Sequence, residues 1–260
     1  NAKINCMKLI SLNTWGGRAG KEKLLEFFAM HKDIDIFCLQ EIWSAPYEYL
    51  EGHSAGGVGI DHSKIMIYGM QEISTLLNSH TVYFKPHLLD NYGLMMLVKK
   101  DLDVISEGDV FVYKEKGHIP EGDVGSHARN VQFVTIATKN GNRSILNFHG
   151  LWNGKGKGDS EDRLLQSDRI IQFMKTLFDP YLMCGDFNLL PDTKSIKKLE
   201  DFRLHNLIKE YGITSTRTSF YTKKEKFADY VFINEGIKIN DFKVLPDEVS
   251  DHSPLYLEFD

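Results

Sequence analysis

Tyr181-Leu-Met-Cys-Gly-Asp-Phe-Asn188 combines a predicted strand with two polar side chains that can take part in catalysis. Its first four residues predict a short buried strand, and Gly185 allows a sharp turn where that strand ends. Asp186 and Asn188 follow two positions apart, so their side chains point to the same side of an extended backbone. A carboxylate and an amide placed this way can orient a water or a phosphate oxygen. Alone, the same pair would be ordinary turn residues.

Polar side chains stand in the same way at the ends of several other predicted strands. Functional residues gather at one edge of a rigid scaffold, and these strand ends meet at one rim if the strands run the same way. The last strand must then run in the opposite direction. The members of this set are Asn13 after residues 7–12, Glu41 after residues 33–39, His149 after residues 144–148, and Asp251 with His252 just before residues 255–259.

The remaining pattern predicts more strands than helices, with the helices inserted between groups of strands. An α/β sandwich of two sheets with helices outside fits this order better than a doubly wound parallel sheet. Further strands are predicted at residues 81–84, 93–98, 103–113, 130–138, 227–233 and 238–245. Helices are predicted at residues 21–30, at 63–77 with Ser63 as N-cap, at 160–178 with Asp159 or Ser160 as N-cap, and at 201–211 closed by Gly212.

Length and composition favour a single catalytic domain over residues 1–260. The chain has 260 residues, of which 42% are hydrophobic, enough to bury a full core. No linker, repeat or low-complexity tract separates two halves. The formal charge of −5 gives no global attraction to nucleic acid or to an anionic membrane. A polyanionic partner would therefore need a local basic patch or a bound cation, and the sequence predicts a monomer.

The cysteines favour a cytoplasmic setting. Cys6, Cys38 and Cys184 each fall in an apolar run, and an odd number of buried thiols predicts reduced core residues rather than disulfides. No stretch reaches membrane-spanning length, and no apolar signal region begins the chain. The sequence starts with Asn1-Ala2, which is typical of a tag remnant, so secretion stays open if a signal peptide has been removed.

Five short motifs resemble, in order and spacing, those of the endonuclease/exonuclease/phosphatase superfamily. The resemblance spans nearly the whole chain. It implies a four-layer α/β/β/α sandwich of two mixed, mostly antiparallel sheets, as in deoxyribonuclease I, and metal-dependent cleavage of a phosphate ester. The motifs are Leu12-Asn13, Leu39-Gln-Glu41, Gly185-Asp-Phe-Asn188, Asp229-Tyr230 and Ser250-Asp-His252.

The resemblance also implies a metal site. Glu41 and Asp251 would be ligands of Mg²⁺, with Mn²⁺ as a substitute, and Asn13 would bind the phosphate or a metal-bound water. Mg²⁺ suits such a set, because it keeps several waters and takes one or two protein carboxylates plus phosphate oxygens.

The same resemblance assigns roles to the remaining polar residues. Asp186 would deprotonate or orient the attacking water, and Asn188 would hold its geometry. Asp229 would orient His252, which would stabilise charge on the phosphate oxygens. His149 would donate to a phosphate oxygen or to the leaving group. The other eight histidines are assigned structural or surface roles.

Four residues outside the motifs are candidates for substrate binding. Trp152, Asn153 and Lys155 belong to the glycine- and lysine-rich loop after His149, where a ring could stack and a lysine could bind phosphate. Arg129 opens a central strand, where several members of the family have a phosphate-contacting arginine. A solvated loop and a surface salt bridge are the alternatives for these residues.

The predicted function is hydrolysis of a phosphodiester, with nucleic-acid ends among the candidate substrates. The chain lacks a long basic insertion, a long hydrophobic hairpin and a clear inositol-phosphatase signature. A phosphomonoesterase or a sphingomyelinase-like phospholipid diesterase is the second prediction. A binding module that has lost catalysis is the third, although none of the motif residues is missing here.

Overall fold

A computed structural model describes residues 6–260; the predicted tag remnant, Asn1-Ala2, lies outside the described residues. The strands are β1 (Met7–Asn13), β2 (Ile36–Trp43), β3 (Ser54–Ala55), β4 (Val58–Gly59), β5 (His80–Leu88), β6 (Tyr92–Lys99), β7 (Asp103–Tyr113), β8 (Arg129–Thr138), β9 (Gly141–His149), β10 (Tyr181–Asp186), β11 (His205–Asn206), β12 (Asp229–Ile233), β13 (Ile239–Val244) and β14 (Leu255–Phe259). The helices are α1 (Lys21–Met30), α2 (Gly69–Leu76), α3 (Glu161–Met174), α4 (Lys194–Asp201) and α5 (Leu207–Glu210).

Two six-stranded sheets repeat one pattern of strand directions. The first sheet has the order β13-β14-β1-β2-β6-β5, and the second has the order β11-β12-β10-β9-β8-β7. In each sheet the central pair is parallel, β1 with β2 and β9 with β10, and the other neighbours are antiparallel. The carboxyl ends of each parallel pair therefore reach the same edge of their sheet.

The side chains of the first sheet alternate between two apolar layers. In β2, Ile36 and Cys38 pack in the cluster shared with the second sheet, while Phe37 and Leu39 pack with α1 and α2. This alternation is the period of two expected for a strand buried on both faces. α3 packs against β7, and α4 packs beside α3 outside the second sheet. Because α1 and α2 lie outside the first sheet, the predicted four-layer α/β/β/α sandwich is confirmed.

A chain of buried amides crosses the interface between the two sheets. Gln40 donates from Nε2 to Asn147 Oδ1 at 2.7 Å, and Asn147 donates from Nδ2 to Gln132 Oε1 at 3.1 Å. Buried amides must find partners, because an unpaired polar group in an apolar interior costs free energy. This amide chain (Gln40, Asn147 and Gln132) therefore fixes how far one sheet can slide over the other.

The prediction of one helix over residues 63–77 was wrong. Only its second part, α2, is helical, and Ser63 lies in a short 3₁₀ turn where Asp61 accepts a hydrogen bond from its N–H. The N–H of Met66 instead donates to the carbonyl of Gly16 at 2.8 Å. The apolar periodicity at the start of this range comes from a buried loop, not from a helix.

The prediction of a helix over residues 201–211 was also wrong. Asp201 is the last residue of α4, a helix that Thr193 caps by accepting from the N–H of Ile196. The chain then extends to add β11 to the edge of β12, and Asn206 caps the single turn of α5. The apolar spacing of this region would fit a single helix, but Thr193 and Asn206 cap two separate helices.

Other predictions of element boundaries were closer. α1 has the predicted bounds, and Ser160 caps α3 by accepting from the N–H of Arg163, but that helix ends at Met174 rather than at residue 178. Asp159 accepts from the N–H of Lys194 at the start of α4. The three cysteines are free thiols, as predicted. Cys38 and Cys184 are buried in the core, but the prediction that Cys6 is buried was wrong, because it precedes β1 and is half-buried. Among residues 6–260, no helix has the length and apolar character needed to cross a membrane.

Candidate active site

The polar strand ends meet at one rim of the sandwich. His149 and Asp186 end the parallel strands β9 and β10, and they are register partners. Asp229 begins the antiparallel strand β12 and lies opposite Asp186. Asp251 and His252 precede β14, which runs antiparallel to β1 and so starts where β1 ends. The predicted convergence of these strand ends is present in the structure.

Glu41 reaches the rim through an irregularity in β2. The strand was predicted to end at Leu39, but it continues to Trp43, and its pairing with β6 shifts between Leu39 and Ile42. Glu41 has a φ of 60°, in the left-handed region that side chains rarely occupy. Bulges of this kind redirect a side chain, and here the carboxylate turns into the cleft.

Gly185 allows β9 and β10 to approach closely. Its φ is 139°, and a Cβ at this position would lie 2.0 Å from the carbonyl oxygen of Phe148. The glycine is part of the strand rather than the turn predicted from the sequence, and β10 ends one residue later, at Asp186. The close approach places Asp186 directly beside its neighbours from β9.

Asn13 joins two of the carboxylates of the site. Its Nδ2 donates to Glu41 Oε1 at 3.0 Å and to Asp186 Oδ2 at 2.9 Å. Its Oδ1 accepts from the N–H of Trp15 at 2.9 Å. The amide therefore holds Glu41 and Asp186 at a fixed separation, with its own oxygen already engaged.

His252 and Asp229 form a buried pair. Nδ1 of His252 donates to Asp229 Oδ1 at 2.8 Å, which leaves Nε2 at 3.5 Å from Asp186 Oδ2. Burial and the Arg217 guanidinium lower the pKa of His252. The nearby carboxylates outweigh both effects and raise this pKa above its usual value; they are Asp229, Asp251 and Asp186. The site thus favours an imidazolium whose free N–H faces the cleft.

Asp186 is held as a carboxylate. It is 2% exposed and accepts from the N–H of Asn188 at 2.8 Å as well as from Asn13. Burial raises the pKa of this carboxyl, but the positive charges of His252 and Lys157 lower it below its usual value. Asp186 is therefore a charged acceptor at the floor of the cleft.

His149 is a buried neutral imidazole. Burial, followed by the nearby Arg129, lowers its pKa well below the usual value. Its Nε2 lies 3.7 Å from Asp186 Oδ2 and 4.0 Å from Glu41 Oε1. Its Nδ1 has no hydrogen-bond partner among residues 6–260.

The rim offers oxygen ligands that fit a divalent cation. Burial raises the pKa of Glu41, and Oδ1 of Asp251 is buried without a partner in the described part of the chain. A cation would offset the raised pKa of Glu41 and would give Oδ1 of Asp251 a partner. Hard carboxylate oxygens are also the ligands that Mg²⁺ prefers. Asp186, Asp229 and His252 also have ligand atoms within 4.8 Å of one another. The Nδ1 of His252 is already bonded to Asp229. Asp251 accepts from Arg217 through Oδ2 at 3.0 Å but keeps Oδ1 available, so Glu41 and Asp251 fit a metal better.

A cleft of about 300 Å³ opens above these residues and carries several cationic side chains. Most of the site residues predicted from the sequence line the cleft, and Asn13 and Asp229 lie directly behind it. The predicted residues that line it are Glu41, Arg129, His149, Trp152, Asp186, Asn188, Asp251 and His252. The lining residues that sequence analysis missed include Arg18, Lys157 and Lys223.

The lysine that enters the cleft is Lys157, rather than the predicted Lys155. Lys157 is buried, its Nζ donates to Asn188 Oδ1 at 3.0 Å, and burial lowers its pKa to about 8. Lys155 is exposed, and Asn153 accepts from its N–H in a local turn. Neither Asn153 nor Lys155 lines the cleft.

Arg129 and Trp152, two of the candidates for substrate binding, line the cleft. Arg129 is 2% exposed, and one amino group donates to the carbonyl of Gly125 at 2.7 Å. Its Nε and Nη1 have no protein partner within residues 6–260. Trp152 lies beneath two lysines, with the Nζ atoms of Lys223 and Lys157 at 5.4 and 5.8 Å from its ring centroid.

Solved structures share this fold at low sequence identity. A mannosyl-6-phosphatase of Bacteroides thetaiotaomicron is 16% identical with a TM-score of 0.75, over 98% of this chain and 99% of that chain. A protein of unknown function from Enterococcus faecalis is 17% identical with a TM-score of 0.72, over 98% and 99%. TDP2 of D. rerio, complexed with a single-strand DNA product, is 14% identical with a TM-score of 0.69, over 99% and 100%.

Comparison with curated proteins gives no match. Residues 10–252, by contrast, match the endonuclease/exonuclease/phosphatase family, which confirms the resemblance carried by the five motifs. Because that match covers nearly the whole chain, this protein belongs to the endonuclease/exonuclease/phosphatase family.

Proposed function

We propose that this protein is a divalent-metal-dependent hydrolase of phosphate esters, and that phosphodiesters are its first substrate class. The observation that carries the proposal is that the full set of polar motif residues lies at the rim. The buried His252–Asp229 pair places Nε2 at 3.5 Å from Asp186 Oδ2. The carboxylates of Glu41 and Asp251 line the same cleft. A binding module that had lost catalysis would not need this whole set.

Glu41 and Asp251 would hold the metal, with Asn13 fixing the position of Glu41. The cation, most simply Mg²⁺, would neutralise charge on the phosphate oxygens. Asn13 donates to Glu41 and engages its own oxygen with a backbone N–H. It therefore acts through the two carboxylates that it joins, rather than as a third ligand.

Asp186 and His252 would act on the water and on the phosphate. Asp186 accepts a hydrogen bond from the attacking water and points one lone pair of that water at phosphorus. A carboxylate of low pKa is a weak base, so we infer that orientation is its main contribution. His252 donates its Nε2–H to a phosphate oxygen, and neutral His149 donates a ring N–H to a second oxygen or to the leaving group.

A phosphomonoesterase is the second candidate, and the cations of the cleft favour it. A monoester carries more charge than a diester, and Arg129 and Lys157 line the cleft beside the predicted metal ligands. Similarity to the mannosyl-6-phosphatase points the same way, whereas similarity to TDP2 bound to DNA product supports a diester. The choice between the two classes rests on measurement.

The first test compares bis-p-nitrophenyl phosphate with p-nitrophenyl phosphate, each with Mg²⁺ and with Mn²⁺. We expect hydrolysis with either metal, none after EDTA, and recovery when the metal is restored. Faster hydrolysis of the diester supports the first candidate, and faster hydrolysis of the monoester supports the second. Hydrolysis that survives EDTA would exclude the proposed mechanism.

A matched pair of variants tests the site itself. Asp186→Asn should lower kcat by about 100-fold or more while the fold is retained, because it removes a charged acceptor for the water. Asp192→Asn changes an exposed residue on the loop that follows β10 and should leave kcat unchanged. Rates similar to wild type in Asp186→Asn would refute the assignment.

A further inference from the structure

One carboxylate accepts several hydrogen bonds from the hairpin of β3 and β4, residues 54–59. Asp123 precedes the short 3₁₀ turn Val124–Ser126, and it is the carboxylate that holds this hairpin. Its oxygens accept hydrogen bonds from the N–H of Gly56 at 2.7 Å, of Gly57 at 2.8 Å and of Gly125 at 2.7 Å, and from Ser54 Oγ at 2.9 Å. Removing that carboxylate would take the acceptor from three donors of the hairpin and from one donor of the 3₁₀ turn.

The hairpin fills the space between the 3₁₀ turn and Trp152. A Cβ on Gly125 would lie 2.4 Å from the nitrogen of Gly56, and a Cβ on Gly56 would lie 3.1 Å from the ring of Trp152. Lys223, from the polar loop 214–226, lies over the same ring. We call this continuous wall, from the 3₁₀ turn through the hairpin and Trp152 to Lys223, the fence.

One side of the cleft beside the fence is apolar. The side chains on this apolar side pack into one cluster next to Glu41, and none of them carries a charge. They are Trp43, Ile60, Leu88, Tyr92 and Val124. Such a wall suits a planar or apolar group bonded to the phosphate, since burying that group releases water from both surfaces.

We propose that the fence restricts the enzyme to terminal or small phosphate esters whose alcohol carries a planar or apolar group. The phosphate lies at the rim, between Glu41 and Asp186, and the organic group contacts the apolar wall. An internal phosphodiester of a polymer needs two exits from the cleft, and the fence closes one side of it. This inference rests on the proposed function and adds its substrate class.

Asp123 is then a positioning residue for specificity. In Asp123→Ala the hairpin loses its acceptor, so KM for bis-p-nitrophenyl phosphate should rise about 10-fold, the scale of a lost apolar contact, with little change in kcat. Asp123→Asn keeps one acceptor oxygen for Gly56 and Gly125 and should restore most of the affinity. A purely structural role would instead lower the amount of active enzyme, which reduces the apparent kcat and leaves KM unchanged.

The matched control is Asp35→Ala. Asp35 also accepts from a backbone N–H, that of Lys8, and from Lys99 Nζ, both at 2.8 Å. It precedes β2, at the edge opposite Glu41, so its loss perturbs stability without touching the cleft. Asp35→Ala should leave KM unchanged.

The deciding experiment uses a single-stranded DNA circle and the linear strand of the same sequence, with bis-p-nitrophenyl phosphate alongside. The wild-type enzyme should hydrolyse the small diester and leave the circle intact, whether or not it shortens the linear strand from an end. Asp123→Ala should gain cleavage of the circle relative to the small diester.

The outcomes separate the two proposals. If the metal-loaded wild type hydrolyses none of the phosphate esters, the proposed function fails. If it hydrolyses the small diester and cuts the circle as fast as the linear strand, the fence inference fails while the proposed function stands. An Asp123→Ala enzyme that folds but matches Asp35→Ala in KM and in circle cleavage also overturns the inference.

Discussion

Lys157 is a buried cation whose charge depends on pH in the neutral to alkaline range. Burial lowers its pKa to about 8, and its Nζ donates to Asn188 beside Asp186. A lysine carries its proton below its pKa and loses it as the pH rises through that value. A phosphate in the cleft would therefore meet a cation at pH 7 and a neutral amine well above pH 8.

We expect kcat/KM of the wild type to fall as the pH rises above about 8, the pKa of Lys157. Lys157→Met should lower kcat/KM at pH 7 by about 10-fold, in line with a hydrogen bond to a charged group. It should also weaken the alkaline fall, leaving the part that comes from deprotonation of His252. The measurement is kcat/KM against pH for both enzymes. Lys155→Met is the control and should keep the wild-type profile; an unchanged profile in Lys157→Met would contradict the prediction.

At the scale of residues, the sequence predicted the motif positions and Arg129 but missed other basic side chains of the cleft, Lys157 among them. Asp186 and His252 were predicted because strand ends and family motifs identify them. Lys157 could not be told from Lys155, because glycines with positive φ decide which lysine turns inward: Gly154 at 72° and Gly156 at 75°. Loops have no periodicity from which a direction can be predicted.

At the scale of elements, β10 depends on the absence of a side chain at Gly185. The glycine has a φ of 139°, and a Cβ there would overlap the carbonyl oxygen of Phe148 in β9. A substitution must either separate the parallel pair or distort the backbone before Asp186. The close approach of the two strands and the position of the Asp186 carboxylate thus have one structural cause.

Gly185→Ala should lower the free energy of unfolding by about 3 kcal/mol or more, because strain and overlap act together. Gly212→Ala is the control, since Gly212 has a φ of 61° but open space around the would-be Cβ. That control should cost about 1 kcal/mol from the backbone alone. Urea unfolding of the three proteins measures both costs. Equal losses would show that φ, and not the contact with β9, explains the glycine.

Strands were predicted better than helices, and the reason is tertiary. Alternation in β2 and β6 follows from burial on two faces, which the sequence displays directly. The same alternation would put Glu41 on the face of Leu39, against the helices, and only the bulge in β2 turns it to the cleft. Met66, by contrast, is buried in a loop, and the apolar residues around it have the spacing of a helix without forming one.

At the scale of the whole molecule, the site is divided between the two sheets. Asn13 and Glu41 come from strands of the first sheet, and His149 and Asp186 end strands of the second. The hydrogen bond from Asn13 to Asp186, at 2.9 Å, joins residues 173 positions apart in the sequence. The amide chain between the sheets sets their relative position only a few residues below this bond.

This division makes catalytic activity a reporter of the last step of folding. Local strand pairs such as β5 with β6 and β8 with β9 can form first. The pairing of β1 with β14 and the bond from Asn13 to Asp186 join distant residues and form late, because loop closure must precede them. After dilution from denaturant, far-ultraviolet circular dichroism should recover before phosphodiester hydrolysis does. Activity that returns together with the earliest ellipticity would contradict this order. Asn147→Leu, which interrupts the amide chain, should lengthen the delay. The recovery of activity would then measure how fast the two sheets dock.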